Sequence, residues 1–281
     1  MYINADMKRI TGYIVLIGIL LSSCGSKEKE AQARLDNARK MFESNEYFAA
    51  KNEIDSIRTL YPKEFKVLKE SLNLMRLVEQ KEAERTLAYC DSMMPIRIGE
   101  LEILRKDFVY EKDSVYEEIG TFVWKQQTIE RNINRCYIRC GVNEKGEMYL
   151  ASVYYGSNPI NHTSVKLSTS ADLFAETASI PYDGGVNYHF KDEGATTEVV
   201  TYKGEAGLDA INFIYNNEKE RIKVEYTGGK PYVIYIADAD KKALVATFNL
   251  GTVLSDINHM TTEMNKAQKR MEYLSGKLEN K

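Results

Sequence analysis

The chain has 281 residues with 38 Lys and Arg against 41 Asp and Glu, a formal net charge of -3, and 43% hydrophobic side chains. That length is enough for one large domain or two smaller ones. Near-neutral charge, with no basic stripe interleaved with aromatics, argues against a nucleic-acid partner.

The first signal is at the N-terminus. Lys8 and Arg9 precede an apolar stretch from Tyr13 to Leu21, far short of the roughly 20 residues a helix needs to cross a bilayer. A charged, then apolar, then small-residue order is that of a secretory signal. Leu21, Ser22, Ser23 and Cys24 follow, and this stretch resembles the lipobox of bacterial lipoproteins. The resemblance implies lipid (palmitate among the acyl chains) on the Cys24 sulfur and cleavage just before it, so that residues 1–23 are a signal peptide. Several acyl chains on one residue hold a protein to a membrane far more firmly than one chain does. The alternative, an ordinary secretory signal, leaves Cys24 an exposed and reactive thiol. Gly25 and Ser26 lack the aspartate associated with inner-membrane retention, which points to the outer membrane of a cell envelope.

Residues 24–32 (CGSKEKEAQ) are small and charged, as in a tether between lipid and fold. In 33–106 the chain is helical in pattern. Ala38, Phe42, Tyr47, Ala50, Ile54, Ile57 and Leu60 mark two apolar stripes broken near Ser44 and Asn45, and Pro62 closes the second. The positions of Ala38, Ala50, Ile54, Ile57 and Pro62 resemble one tetratricopeptide repeat, without its usual tryptophan and glycine-tyrosine pair. A plain amphipathic hairpin packed on the next helix is the equal alternative, since a lone repeat cannot bury its own face. Phe65, Leu68, Leu72 and Met75 then recur at three and four, and Ala83, Leu87, Cys90, Met94, Leu101 and Leu104 resume the rhythm after a slip. Pro95 and Gly99 are expected to kink this helix or break it in two. Asp55-Ser56-Ile57, Asp91-Ser92-Met93 and Asp113-Ser114-Val115 resemble the O-glycosylation acceptor pattern of the Bacteroidetes, whose envelopes contain lipoproteins with helical repeats of this general kind.

From 107 to 249 Val, Ile, Thr and Tyr become frequent, and Gly, Asn and Asp punctuate at short intervals. Two strands are predicted around the turn Asn143 to Gly146, and others in SVKLSTS, FAETASI, TTEVVTY, RIKVEYT and PYVIYIA, the last two joined at Gly228-Gly229-Lys230. TFVW after Gly120 suits a strand, although 108–131 could equally continue the helix. ALVATF is either one more strand or the start of the last helix from an Asp240 cap, and 206–216 suits a short helix. Seven to nine such strands predict an antiparallel sandwich or open barrel.

From 250 to 281 Leu250, Val253, Ile257, Met260, Met264, Ala267, Met271, Leu274 and Leu278 keep an unbroken three-four alternation. Such a helix is roughly 45 Å long. Its partner is residues 63–106 in an antiparallel coiled-coil-like pair, or another copy of itself. The fold class expected is therefore α+β, with an N-terminal helical hairpin and long helices flanking an inserted antiparallel β-sandwich-like domain.

Chemistry-bearing motifs are few. Cys136 and Cys140, if on one strand, stand about 13 Å apart, too far for a disulfide, and match no zinc spacing. These and Cys90 are read as free thiols, with no metal and no cofactor implied. His162, His189 and His259 are scattered, and no serine elbow, phosphate loop or His-Glu-x-x-His pattern occurs. His162 in NPINHTS is read as a satisfied loop histidine. The sequence thus points away from an enzyme and towards a non-catalytic scaffold or protein-interaction lipoprotein with an envelope protein partner. The alternative draws on nineteen tyrosines and the single Trp124: Tyr154, Tyr155, Tyr182, Tyr188 and Trp124 are candidates for an aromatic face that binds a glycan or small ligand, although Tyr154 and Tyr155 as strand neighbours point to opposite sides.

Overall fold

The computed structural model of the chain describes residues 27–112 and 118–278. The lipobox, Cys24 and the tripeptide at 113–115 lie outside the described residues. The protein is α+β and divides into two compact units: residues up to Asp91 together with those from Glu263, and Ser92–Thr262.

The first unit is helical. Helix α1 covers residues 27–43, α2 Tyr47–Leu60, and the first part of α3 (Phe65–Leu104) follows. Residues 27–32, expected as part of a tether, are helical, because the apolar stripe of α1 already starts at Ala31 and runs through Leu35 and Ala38, all fully buried. Asn45, at φ 62°, stops α1 in the left-handed region. There Glu46 N–H donates to Met41 O at 2.8 Å and Asn45 N–H to Phe42 O at 3.0 Å, which satisfies the last carbonyls of the helix. Ala50, Ile54 and Ile57 of α2 close on Leu35, Ala38, Val67, Leu74 and Val78.

The buried face of α3 differs from the predicted stripe. Val67, Ser71, Leu74 and Val78 point inward, whereas Phe65 and Leu72 are exposed. Ser71 can take a core position because its hydroxyl donates to Leu68 O at 2.9 Å, which leaves no polar atom facing the apolar core. Arg270 of the C-terminal helix α5 (Asp238–Leu278) pairs with Glu79 of α3 in this unit.

In the second unit Pro95 does not break α3, which continues to Leu104. Proline removes one rung, and beyond it Arg97 holds Asp256 of α5 at 2.9 Å while Leu101 and Leu104 pack with Leu250 and Leu254. Ten strands follow: β1 Phe108–Glu111, β2 Thr121–Trp124, β3 Tyr137–Asn143, β4 Met148–Gly156, β5 Ser164–Ser168, β6 Phe174–Glu176, β7 Asn187–Asp192, β8 Ala195–Lys203, β9 Lys223–Thr227 and β10 Tyr232–Tyr235. Helix α4, Glu205–Asn216, lies between β8 and β9. The sheets are antiparallel throughout, in the orders β1-β2-β3-β4-β8-β7 and β10-β9-β5-β6. Residues 108–111 and 121–124 are thus strands, not a continuation of the helix.

The core lies between the sheets and is closed by helices. Ile138, Cys140, Leu150 and Tyr202 of the larger sheet meet Val165, Leu167, Val224 and Tyr226 of the smaller one, with Ile211 and Ile214 of α4 and Leu244 of α5. ALVATF is helical, and α5 starts at Asp238 rather than at residue 250. Ala243, Leu244, Thr247 and Leu250 are buried at three-four spacing, a helical period that outweighs the β-branched composition. Asp238 and Asp240 in the first turn favour a helix start there. No helix among the described residues is long and apolar enough to cross a membrane.

Candidate functional site

The five aromatic residues singled out from sequence do not share a face. Tyr154 is on the inner side of β4, buried, with its hydroxyl donating to Asn158 O at 2.8 Å and its ring edge-on to Tyr232. Trp124 is also inward, edge-on to Phe108 at 5.2 Å. Tyr182 sits in an exposed loop against His189, with ring centroids 4.8 Å apart. Only Tyr155 and Tyr188 are on the outer side of the larger sheet, as the β4-β8-β7 register requires.

His162 does converge with a carboxylate. Its Nδ1–H donates to Glu198 Oε2 at 2.8 Å, and Nε2 lies 2.8 Å from Ser152 Oγ, which in turn is 3.2 Å from the Tyr202 hydroxyl. In the neutral imidazole Nε2 then accepts the Ser152 hydroxyl proton. The order hydroxyl, imidazole, carboxylate is that of an activated nucleophile. Here it is sealed, because Ser152, His162 and Glu198 are 0%, 1% and 2% exposed between the sheets, and a reacting atom must come within hydrogen-bond reach of the base. Glu198 has another task. Its Oε1 accepts the backbone N–H groups of Ile160 and Asn161 at 2.7 and 2.8 Å, and Oε2 that of His162 at 3.2 Å. Burial pushes the carboxyl pKa up, but the hydrogen bonds from His162 and these amides outweigh it and hold the pKa below the ordinary value. The set pins the loop 157–163 to β4 and β8.

A second cluster is on the outer side of the larger sheet. Alternate residues of β3 present Tyr137, Arg139 and Gly141, those of β4 Tyr149, Ala151, Val153 and Tyr155, and those of β7 Tyr188 and Phe190. Ala151, Val153 and Val199 form a small apolar floor with Tyr137, and Tyr149 and Tyr188 pack against it. The ring of Tyr149 lies over Gly141, where an added Cβ would stand 2.6 Å from Cε1. Burial pushes the Tyr149 hydroxyl up to about 12, so it stays neutral. Arg139 is partly buried beside these rings, makes no ion pair among the described residues, and its Nε is buried without a hydrogen-bond partner. Burial works against its charge, and the hydroxyls of Tyr149, Tyr137 and Tyr188, with Glu111, act the other way and leave its pKa raised. A groove of about 770 Å³ opens over Arg139, lined also by Glu111, Thr121, Tyr149, Thr201 and Lys203.

Tyr137, Arg139, Tyr149 and Phe190 were missed from sequence. For the first three the signal was available in the two-residue period of CYIRCGVNEKGEMYLASVYYG, which sets Tyr137, Arg139 and Gly141 on one side and Ile138 and Cys140 on the other. Cys90 and Cys140 are buried and Cys136 is half-buried, with no disulfide among the described residues. Among the described residues no group of three His, Cys, Asp or Glu side chains is placed to hold a metal ion. No family model, no curated protein and no solved structure matches this chain.

Proposed function

We propose that the chain is a lipid-anchored protein of the cell envelope, held at Cys24 in the outer membrane, that binds a protein partner as a scaffold rather than transforming a substrate. The observation that carries this reading is a groove of about 600 Å³ between α2 and α3 in the helical unit. Phe48 and Leu72 line it while 76% and 53% exposed, beside Lys51, Arg58, Asp55 and Glu79. An apolar strip flanked by both signs of charge suits an amphipathic helix, whose apolar face fills the groove and whose polar edges meet the charges.

The test is crosslinking in intact cells with mass spectrometry of what is recovered. One or two near-stoichiometric protein partners are expected, and Phe48→Ser with Leu72→Ser is expected to lose them without loss of helix content, because neither side chain is in the core. A partner retained by the double variant would remove the groove from the proposal, and recovery of the lipoprotein alone would remove the scaffold. Cys24→Ala is expected to shift the protein out of the membrane fraction; a variant that stays there would exclude the lipid anchor.

A second reading, binding of a glycan or small ligand by the β unit, is favoured by one observation: the aromatic side chains and Arg139, which makes no ion pair among the described residues, share the outer side of the larger sheet.

A further inference from the structure

We infer that the outer side of the six-stranded sheet binds an oligosaccharide bearing a carboxylate, with Arg139 on the carboxylate and Tyr188 and Phe190 against a neighbouring ring. This rests on the second reading above and gives it a ligand class.

Three observations converge. The first is charge. A guanidinium taken partly out of water normally finds a carboxylate, because desolvating an unpaired charge is costly. Arg139 finds none within ion-pair distance among the described residues, and its buried Nε has no acceptor. The fork of N–H donors on arginine matches the two oxygens of a carboxylate, and Arg139 lines the groove, so a bound carboxylate meets the guanidinium there.

The second is the platform. Tyr188 and Phe190 are two residues apart on the edge strand β7, their rings within 15° of parallel and 6.5 Å between centroids. Phe190 is 49% exposed. These two near-parallel rings lie outside the groove lining, further along the same side of the sheet, and offer apolar surface to the C–H face of a second pyranose. Thr201 and the Tyr149 hydroxyl, both on the groove wall, are placed to meet sugar hydroxyls.

The third is the charge balance. Lys203 adds one positive charge to the groove, and Glu111 and Glu147 add two negative ones. Glu147 is engaged by Asn143 Nδ2 at 2.7 Å. With Arg139 the groove carries two charges of each sign, and Glu111 already acts on Arg139, so a dense polyanion such as polyphosphate is disfavoured more than a ligand with one carboxylate. The volume of about 770 Å³ is in the range of small-ligand sites, roughly 300–1,000 Å³, and accommodates a short oligosaccharide.

The experiment is calorimetric titration of the purified full-length protein in detergent with trimers carrying galacturonate, glucuronate or a terminal sialate, each beside its carboxyl-reduced neutral counterpart. At least one acidic trimer is expected to bind at least tenfold more tightly than its neutral counterpart. Arg139→Met is expected to abolish that preference, and Arg139→Lys to restore part of it, since charge returns without the fork. Phe190→Ala, at an exposed position that does not threaten folding, is expected to weaken binding at least tenfold, so the inference stays decidable even if a variant at Arg139 fails to fold. Equal binding of the acidic and neutral trimers would overturn the carboxylate assignment and leave the aromatic face standing. Competition by inorganic phosphate or acetate as strong as by the acidic trimer would overturn the sugar. No heat from any trimer would overturn both this inference and the reading it rests on.

Discussion

Glu198→Ala is expected to destabilise the β unit by about 3–5 kcal/mol, the cost of leaving buried hydrogen-bonding groups without their charged partner. The substitution orphans the N–H groups of Ile160, Asn161 and His162 and the Nδ1–H of His162 together. The donors of Ile160 and His162 have no water to turn to, since both residues and Glu198 are nearly inaccessible. The chain has two compact units, so one unfolding free energy is poorly defined. The better readout is amide exchange at Ile160, Asn161 and His162, expected to accelerate on the order of a hundredfold or more, at tenfold per 1.4 kcal/mol. Exchange there no faster than in the wild type would show that the loop is held by something else.

The same carboxyl sets a pH dependence whose sign is fixed. Its folded pKa is depressed, so its contribution to stability is complete above the unfolded Glu value of about 4.3 and disappears as pH falls through the folded pKa. Glu198→Gln keeps the shape but not the charge. The variant is expected to be less stable at neutral pH and to lose part of the acid slope below about pH 4.3. A variant with the wild-type slope in that range would place the acid sensitivity on other carboxylates.

What was legible in the sequence was local. The hairpin of α1 and α2 was readable because Ala38, Ala50, Ile54 and Ile57 repeat at helical spacing and Asn45 is a residue that tolerates positive φ. The β3-β4 hairpin was readable from alternation on both sides of Asn143 to Gly146. The start of α5 was harder, because Val245, Thr247 and Phe248 favour strands and only their burial pattern is helical. Strand β7 was obscured by position: at a sheet edge most of NYHFKD is exposed, and the alternation of a half-buried strand is absent.

The two sites were less legible for another reason. Ser152, His162 and Glu198 meet only because β4 and β8 are neighbours while the loop after β4 folds back between the sheets; no spacing encodes that pairing. On the outer side the difficulty was one of phase. Side chains alternate with period two, and a choice of Tyr154 in place of Tyr155 or Tyr149 moves the candidate to the core. Arg139 gave no motif, because its significance is that it has no ion-pair partner among the described residues, and that is visible only once the neighbouring strands are in place.

Gly146→Ala is expected to destabilise the β unit by about 2–5 kcal/mol, for two reasons that separate experimentally. Gly146 has φ 84°, where an L residue costs about 1–2 kcal/mol. The second reason is contact: a Cβ there would lie 2.5 Å from the carbonyl oxygen of Gly251 and 2.5 Å from the amide nitrogen of Ser255, both backbone atoms of α5, and neither can swing aside. Such overpacking adds about 1–3 kcal/mol. Gly184→Ala supplies the first term alone, because Gly184 has φ 77° and nothing within 4 Å of an added Cβ. Gly251→Ala supplies the opposite case. Its Cβ would meet the Val142 Cγ2 methyl at 3.2 Å, a side-chain atom that can yield a few tenths of an ångström, and alanine is favoured over glycine in a helix by about 0.8–1.0 kcal/mol, so little net change is expected. Urea unfolding of the three variants, followed by a signal from the β unit, ranks them. Gly146→Ala falling well below Gly184→Ala shows that the β3-β4 turn is seated on α5 by backbone contact, which fixes where the larger sheet meets that helix. Equal losses would mean that the turn can lift from α5 without cost, and that the position of the sheet is set instead by the packing of Leu250 and Leu254 on Val142 and Phe108.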